Sequence, residues 1–165
     1  MSQTKNTVLF QSLAELNAKT PLADISIAEL TTAAGVSRMY FYRNFKTYDE
    51  IIDQHINDLV TDFIRAVRKR SSSVESNATL FFKILEPDAS AFGAFLAHNE
   101  SNHIQRNFEL GLQRLLEQEL IQGQADPYWE AYTAGGLSRV ITVWLSKPAR
   151  ETPQQMGAKI AAIVH

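Results

Sequence analysis

Apolar residues recur at three- and four-residue intervals along most of the chain, and no segment shows the strict alternation of a half-buried strand. The pattern predicts an all-α protein. Leu9, Leu13 and Leu16 define a first helix over about residues 7–18, which must end before Pro21 because a residue preceding proline avoids helical geometry. Ile27, Leu30 and Ala34 share one face of a short second helix, and Phe41 and Phe45 one face of a third. Ile52, Ile56, Leu59, Phe63 and Val67 carry a longer fourth helix over about 48–70, broken at Ser71-Ser72-Ser73. Further helices are expected near 74–85, 88–98, 101–122, 127–147 and 154–164, punctuated by Pro87, Pro127, Pro148 and Pro153.

Local signals are densest between residues 25 and 52. Ser26 is a helix cap with Glu29 three residues on, a capping-box spacing, and Ile25 and Leu30 stand at hydrophobic-staple positions. Gly35 follows that helix, where a left-handed turn residue is needed. Ser37 is the next cap, with Val36 and Phe41 as its staple, and Thr47 with Glu50 forms a second capping box. Two short helices around a glycine turn are how a helix-turn-helix presents its second helix to the DNA major groove.

With Phe41 and Phe45 turned to the core, Arg38, Met39, Tyr40, Arg43 and Asn44 face outward or flank the contact face. Arginine reads guanine bidentately, Met or Tyr packs on a thymine methyl, and hydroxyls and lysine hold phosphates. The expected base contacts are Arg38 and Tyr40, and the expected phosphate contacts are Ser26, Tyr42 and Lys46. The full candidate DNA-binding set adds Ser37, Met39, Arg43 and Asn44. The competing reading makes Tyr40, Phe41 and Tyr42 core aromatics and the arginines a solvated face.

Residues 7–52 resemble the DNA-binding domain of the TetR family of bacterial transcriptional regulators. The resemblance lies in Ala-Gly-Val-Ser at 34–37, Phe-Tyr-Arg-Asn-Phe at 41–45, and the short step into a long fourth helix. It implies a homodimer on operator DNA, an effector bound by the C-terminal domain, and a dimer interface built from the last two helices. Two departures weaken DNA binding in that comparison. Tyr48 stands where the family usually has a phosphate-contacting lysine, and Lys5 is the sole cation ahead of the first helix. A TetR-like co-regulator acting through protein–protein contacts is therefore the alternative.

Charge is local. The first 70 residues hold 9 basic and 8 acidic side chains and the remainder 7 and 10, while between 26 and 48 Arg38, Arg43 and Lys46 stand against Glu29 alone, a local excess where phosphate contact requires it. Arg65, Arg68, Lys69 and Arg70 make a basic end to the fourth helix, read as complementing its negative C-terminal dipole. The 165 residues suffice for a sizeable core. No run of 18 apolar residues occurs, and Phe10 to Leu16 is too short for a leader, so a cytoplasmic protein without membrane contact is expected. Zero cysteines exclude disulfides and thiolate chemistry.

No catalytic residue, metal site or cofactor is expected, and the chain reads as a non-enzyme. His98 and His103 are five apart and do not share a helix face, and Glu117 and Glu119 point to different faces. Among the C-terminal aromatics, Phe81, Phe92, Phe95, Phe108 and Tyr132 are expected to wall a small apolar effector site, with His98 and His103 orienting one polar group. The same residues would also serve as a plain helical core. Gly135 and Gly136 cost about 1 kcal/mol each in a helix interior, which suggests close approach of another helix. With Leu137, Val140 and Trp144 they form the expected dimer interface, intramolecular packing being the other possibility. The expected organisation is a helix-turn-helix domain over 1–48, a connecting helix over 49–70, and a dimerisation and effector domain over 74–165.

Overall fold

A computed structural model of the chain describes residues 2–68, 73–98, 101–120 and 126–164. Nine α-helices are found among them and no strand: α1 (Ser2–Asn17), α2 (Ile27–Ala33), α3 (Arg38–Asn44), α4 (Tyr48–Val67), α5 (Val74–Leu85), α6 (Ala89–Ala97), α7 (Ser101–Glu117), α8 (Pro127–Ser146) and α9 (Pro153–Ile163). Short 3-10 turns at Leu22–Asp24 and Glu86–Asp88 make two of the connections. Helices α1–α3 form a small N-terminal layer, and α4 runs from it into a bundle of α5–α9.

The caps explain most boundaries. Ser26 and Glu29 form the expected capping box at α2, and Ser37 accepts from the Tyr40 N–H at α3. Helix α2 ends in a Schellman arrangement, with Gly35 N–H to Thr32 C=O, Val36 N–H to Thr31 C=O, and Gly35 at φ 62°. The expected capping box at α4 is only half formed. Thr47 accepts from the Glu50 N–H, but the Glu50 carboxylate accepts from the Lys46 N–H instead of Thr47's. Helix α7 stops five residues before the expected 122, because Glu119 adopts φ 55° and Leu120 N–H closes on Leu115 C=O. Pro127 and Pro153 start α8 and α9, capped by Asp126 and Thr152.

Helix α4 is buried on more than one side, as a helix packed between layers must be. Leu9, Phe10 and Leu13 of α1 share its core with Ile52, Ile56, Phe63 and Val67. The expected end of α4 at residue 70 and most of the Ser71–Ser73 boundary lie outside the described residues; Ser73 itself caps α5. Two glycines set helix spacing. A Cβ on Gly111 would stand 2.7 Å from Val60 Cγ2, so α7 lies directly on α4. A Cβ on Gly157 would overlap Thr79 Oγ1 and stand 2.7 Å from the Glu75 carbonyl oxygen, so α9 lies as tightly on α5.

Candidate nucleic-acid interface

Helix α3 is anchored from below. Phe41 and Phe45 are buried, and Phe41 packs edge-on against Tyr48 at 6.1 Å between ring centres. That anchoring turns the opposite face to solvent. Met39 and Tyr42 are 67% and 62% exposed, with Arg38 and Arg43 exposed beside them. Positions 38, 39, 42 and 43 fall one helical turn apart and form a single surface. The all-core reading of the aromatic triplet is thus overturned for Tyr42.

Arg38, Arg43 and Lys46 make no ion pair among the described residues. Arg65 and Arg68, at the other end of α4, are engaged with Asp62 and Gln118. Lys19, Lys83, Arg106 and Arg139 are also exposed and unpaired among the described residues but lie on separate elements, whereas Arg38, Arg43 and Lys46 stand together around α3. Lys5 adds to them, its ammonium 5.1 Å from the centre of the Tyr40 ring. Lys5 and its neighbour Asn6 were not among the expected contacts, because the first helix was expected to begin at residue 7. It begins a full turn earlier.

Three of the expected contacts take different roles. The Tyr40 hydroxyl donates to Asn6 Oδ1 at 2.8 Å and the residue is half-buried, so it ties α3 to α1. The Ser26 hydroxyl donates to the Glu29 carboxylate at 2.6 Å, which leaves it poorly disposed to hold a phosphate. That bond first, and the Ser26 backbone N–H second, hold the Glu29 carboxyl below the usual carboxylate range. Asn44 donates back to the Tyr40 carbonyl oxygen at 2.7 Å. Ser37 is exposed and serves as the α3 cap.

The C-terminal bundle holds a cavity of about 470 Å³, within the usual range for small-molecule sites. Its walls come from the end of α4 (Phe63, Val67), α5 (Phe81, Phe82), α7 (Leu112, Leu115), α8 (Leu137, Ile141) and α9 (Ile160). Arg68, Ser73, Asn77 and Glu119 stand at its polar edge. Of the expected effector residues, only Phe81 lines it. Phe92, Phe95 and Phe108 are fully buried in packed core, Phe10 meeting Phe92 at 5.0 Å and Phe95 at 5.5 Å. His98 is exposed just beyond α6, and Tyr132 is 76% exposed. His103 lies 2.6 Å from Asp53 Oδ1, whose carboxyl is pushed up by burial against the opposing pull of that histidine.

The expected dimer residues also divide. Trp144 is buried, with its indole N–H on the Glu151 carbonyl at 2.9 Å and its ring 5.0 Å from Phe82. Leu137 faces the cavity and Val140 is half-buried. Gly135 and Gly136 behave otherwise. A Cβ at either would meet nothing within 4 Å among the described residues, so none of the described helices uses the space they leave. Gly136 lies on an exposed strip of α8 with Tyr128, Tyr132, Arg139 and Val143.

Known structures share this architecture across nearly their whole length. AlkX, a TetR-family repressor from Dietzia sp. implicated in n-alkane biodegradation, superposes with TM-score 0.63 at 14% identity, covering 96% of this chain and 93% of that one. DhaS, a dihydroxyacetone kinase operon activator, gives 0.62 at 12% identity, covering 97% and 93%. FadR, a fatty acid degradation regulator from Bacillus halodurans, gives 0.58 at 13% identity, covering 96% of each. The fold is that of the TetR-family regulators. No sequence-family model matches the chain, and no curated relative matches it. Among the described residues, no helix is long and apolar enough to cross a membrane.

Proposed function

We propose that this TetR-fold protein is a sequence-specific transcriptional regulator that binds a pseudopalindromic operator as a homodimer and represses by occupying it. The observation that carries this reading is the exposed α3 surface of Arg38, Met39, Tyr42 and Arg43, held out by a capped glycine turn and flanked by free cations. Repression needs only DNA occupancy, whereas activation needs a further surface for the transcription machinery. The neighbours described as regulators support a binding role over a catalytic one.

A second copy of the chain would cover the exposed strip of α8. Tyr128 is 85% exposed and Tyr132 76%, an unusual fate for two large rings one turn apart, and Gly136 between them and Val143 permits close helix approach. A two-fold axis there would give two recognition helices and hence two half-sites. The cavity supports release by a small, mainly apolar effector. Phe63 and Val67 of its wall belong to α4, whose 20 residues span about 30 Å to Tyr48 beneath α3. Such an effector must bind the DNA-incompetent arrangement more tightly than the competent one.

One observation favours the co-regulator alternative: the Tyr48 hydroxyl is consumed by the Ile25 carbonyl, so this position offers no phosphate contact. Selection of duplexes from a random pool by the intact protein separates the two. Enrichment of an inverted repeat, with affinity that falls steeply with salt, is expected. Absence of enrichment together with salt-independent behaviour would leave the protein-interaction role.

A further inference from the structure

Helix α1 carries polar side chains at positions that its apolar face would not select. Asn17 is completely buried, Gln11 is half-buried, and Asn6 lies beside α3. Each one bonds to a different part of the molecule. Asn6 accepts from the Tyr40 hydroxyl of the recognition helix. The Gln11 side-chain amide donates to Asp88 Oδ1, and the Asn17 amide donates to the Ala94 carbonyl in α6 at 3.3 Å.

Asp88 is the centre of this arrangement. It occupies the N-cap position of α6, where an aspartate ordinarily accepts from its own helix, yet it makes no side-chain cap bond there. Both of its oxygens are turned outward. Oδ1 takes Gln11 of α1, and Oδ2 lies 2.8 Å from His55 Nε2 of α4. The His55 ring is stacked on Phe10 of α1, 3.8 Å between centres and 12° from parallel. Asp88 and His55 are both buried, and burying such a pair costs more than an apolar contact of equal volume. An apolar contact can slide by small amounts, whereas a hydrogen-bonded cluster is either registered or broken.

We propose that Gln11, Asp88 and His55 are positioning residues for the recognition helix, with α1 as the rod that joins them to it. Resting on the DNA-binding reading above, this assigns α1 a role alongside α4. The start of α6 is locked to α1 through Gln11, and α1 is locked to α3 through Asn6 and Tyr40. A shift of α6 against α4 must either break the Asp88 cluster or carry α1, and with it the presented face of α3.

The test is a double-mutant cycle in the intact protein. Affinities for a duplex enriched by selection and for a scrambled duplex are measured with the parent, Asp88→Asn, Asn6→Ala and the double variant. Asp88→Asn should reduce the preference for the selected duplex by about tenfold, the scale of ordinary coupling between sites. In the Asn6→Ala background, where the rod is uncoupled from α3, it should change that preference little further. Additive losses, or a lower melting temperature with unchanged preference, would mean the cluster only supports the fold.

Gln11→Leu leaves the His55–Asp88 pair in place and should give the same loss, which keeps the question open to test if Asp88→Asn does not fold. Amide hydrogen exchange gives a readout without DNA. Exchange at residues 41–44 should quicken in Asp88→Asn and Gln11→Leu while residues 31–34 of α2 stay as in the parent. Failure to enrich any duplex would count against the regulator reading, and the exchange result would then decide the role of α1 separately. Unchanged exchange in α3 would overturn it.

Discussion

The Tyr48 hydroxyl donates a 2.6 Å hydrogen bond to the Ile25 carbonyl, joining the first turn of α4 to the residue that precedes the α2 cap. Burial, chiefly, and the nearby Glu29 and Tyr42 charges push this phenol above its ordinary value. The folded state therefore favours the neutral hydroxyl. Its contribution is complete below about pH 10, the ordinary phenol value, and is lost as pH rises through the higher folded value. Tyr48→Phe should cost about 1 kcal/mol at neutral pH and flatten the alkaline loss of stability. Urea unfolding of both proteins at neutral and strongly alkaline pH checks this, and parallel pH profiles would refute it.

Arg38 and Lys46 should fail in different ways. Arg38→Ala is expected to cost about 1–3 kcal/mol on a selected duplex and to relax preference at one base position. Lys46→Ala should weaken selected and scrambled duplexes alike and lower the salt slope by about one. Binding titrations at several salt concentrations distinguish them. Equal specificity in Arg38→Ala and the parent would remove Arg38 from base readout.

Gly136 has open space where a side chain would go. Gly136→Leu should therefore leave the isolated subunit folded, with helicity at least that of the parent, yet separate the dimer. Sedimentation at micromolar concentration should show the variant as a monomer and the parent as a dimer, with operator affinity lost in step because the two half-sites act together. A parent that sediments as a monomer with and without DNA would end the dimer proposal.

Gly157 gives the opposite outcome from the same residue type. Its Cβ would run into Thr79 and the Glu75 carbonyl, so Gly157→Ala should destabilise the fold by about 1–3 kcal/mol. The intrinsic helical gain of alanine, about 1 kcal/mol, is too small to offset the clash unless α9 moves. The denaturation midpoint of Gly157→Ala against that of the parent checks this, and an unchanged or higher midpoint would refute it.

Signals that act within a few residues were legible in the sequence. The Ser26–Glu29 box, the Gly35 turn and the Ser37 cap all close within one helical turn, and each stands as expected. Signals that depend on distant partners were not. One local signal was ambiguous as well, since Glu50 had two neighbouring backbone donors in reach and took that of Lys46. Tyr40 and Tyr42 are alike in type and flank Phe41, and the bond that ties the Tyr40 ring runs to Asn6, on an α1 longer than expected. Helix α8 is apolar on two faces, so sequence spacing alone could not show that Ile141, Trp144 and Leu145 point inward while Gly136 and Val143 point out. The cavity lies where Phe81 meets α4, α8 and α9, and the other expected aromatics fill the core beside it.

Helix α3 has seven residues, two turns, well short of the roughly 12–15 at which a free helix begins to hold in water. Its shape is lent to it by Phe41, Phe45 and the caps around it. On the proposed reading, DNA recognition is then a cooperative property of the whole N-terminal layer and not of α3 alone. A synthetic peptide of the segment would be a coil without preference. On heating, discrimination between sequences should vanish at the same temperature as the domain melts, with no intermediate state that still reads poorly.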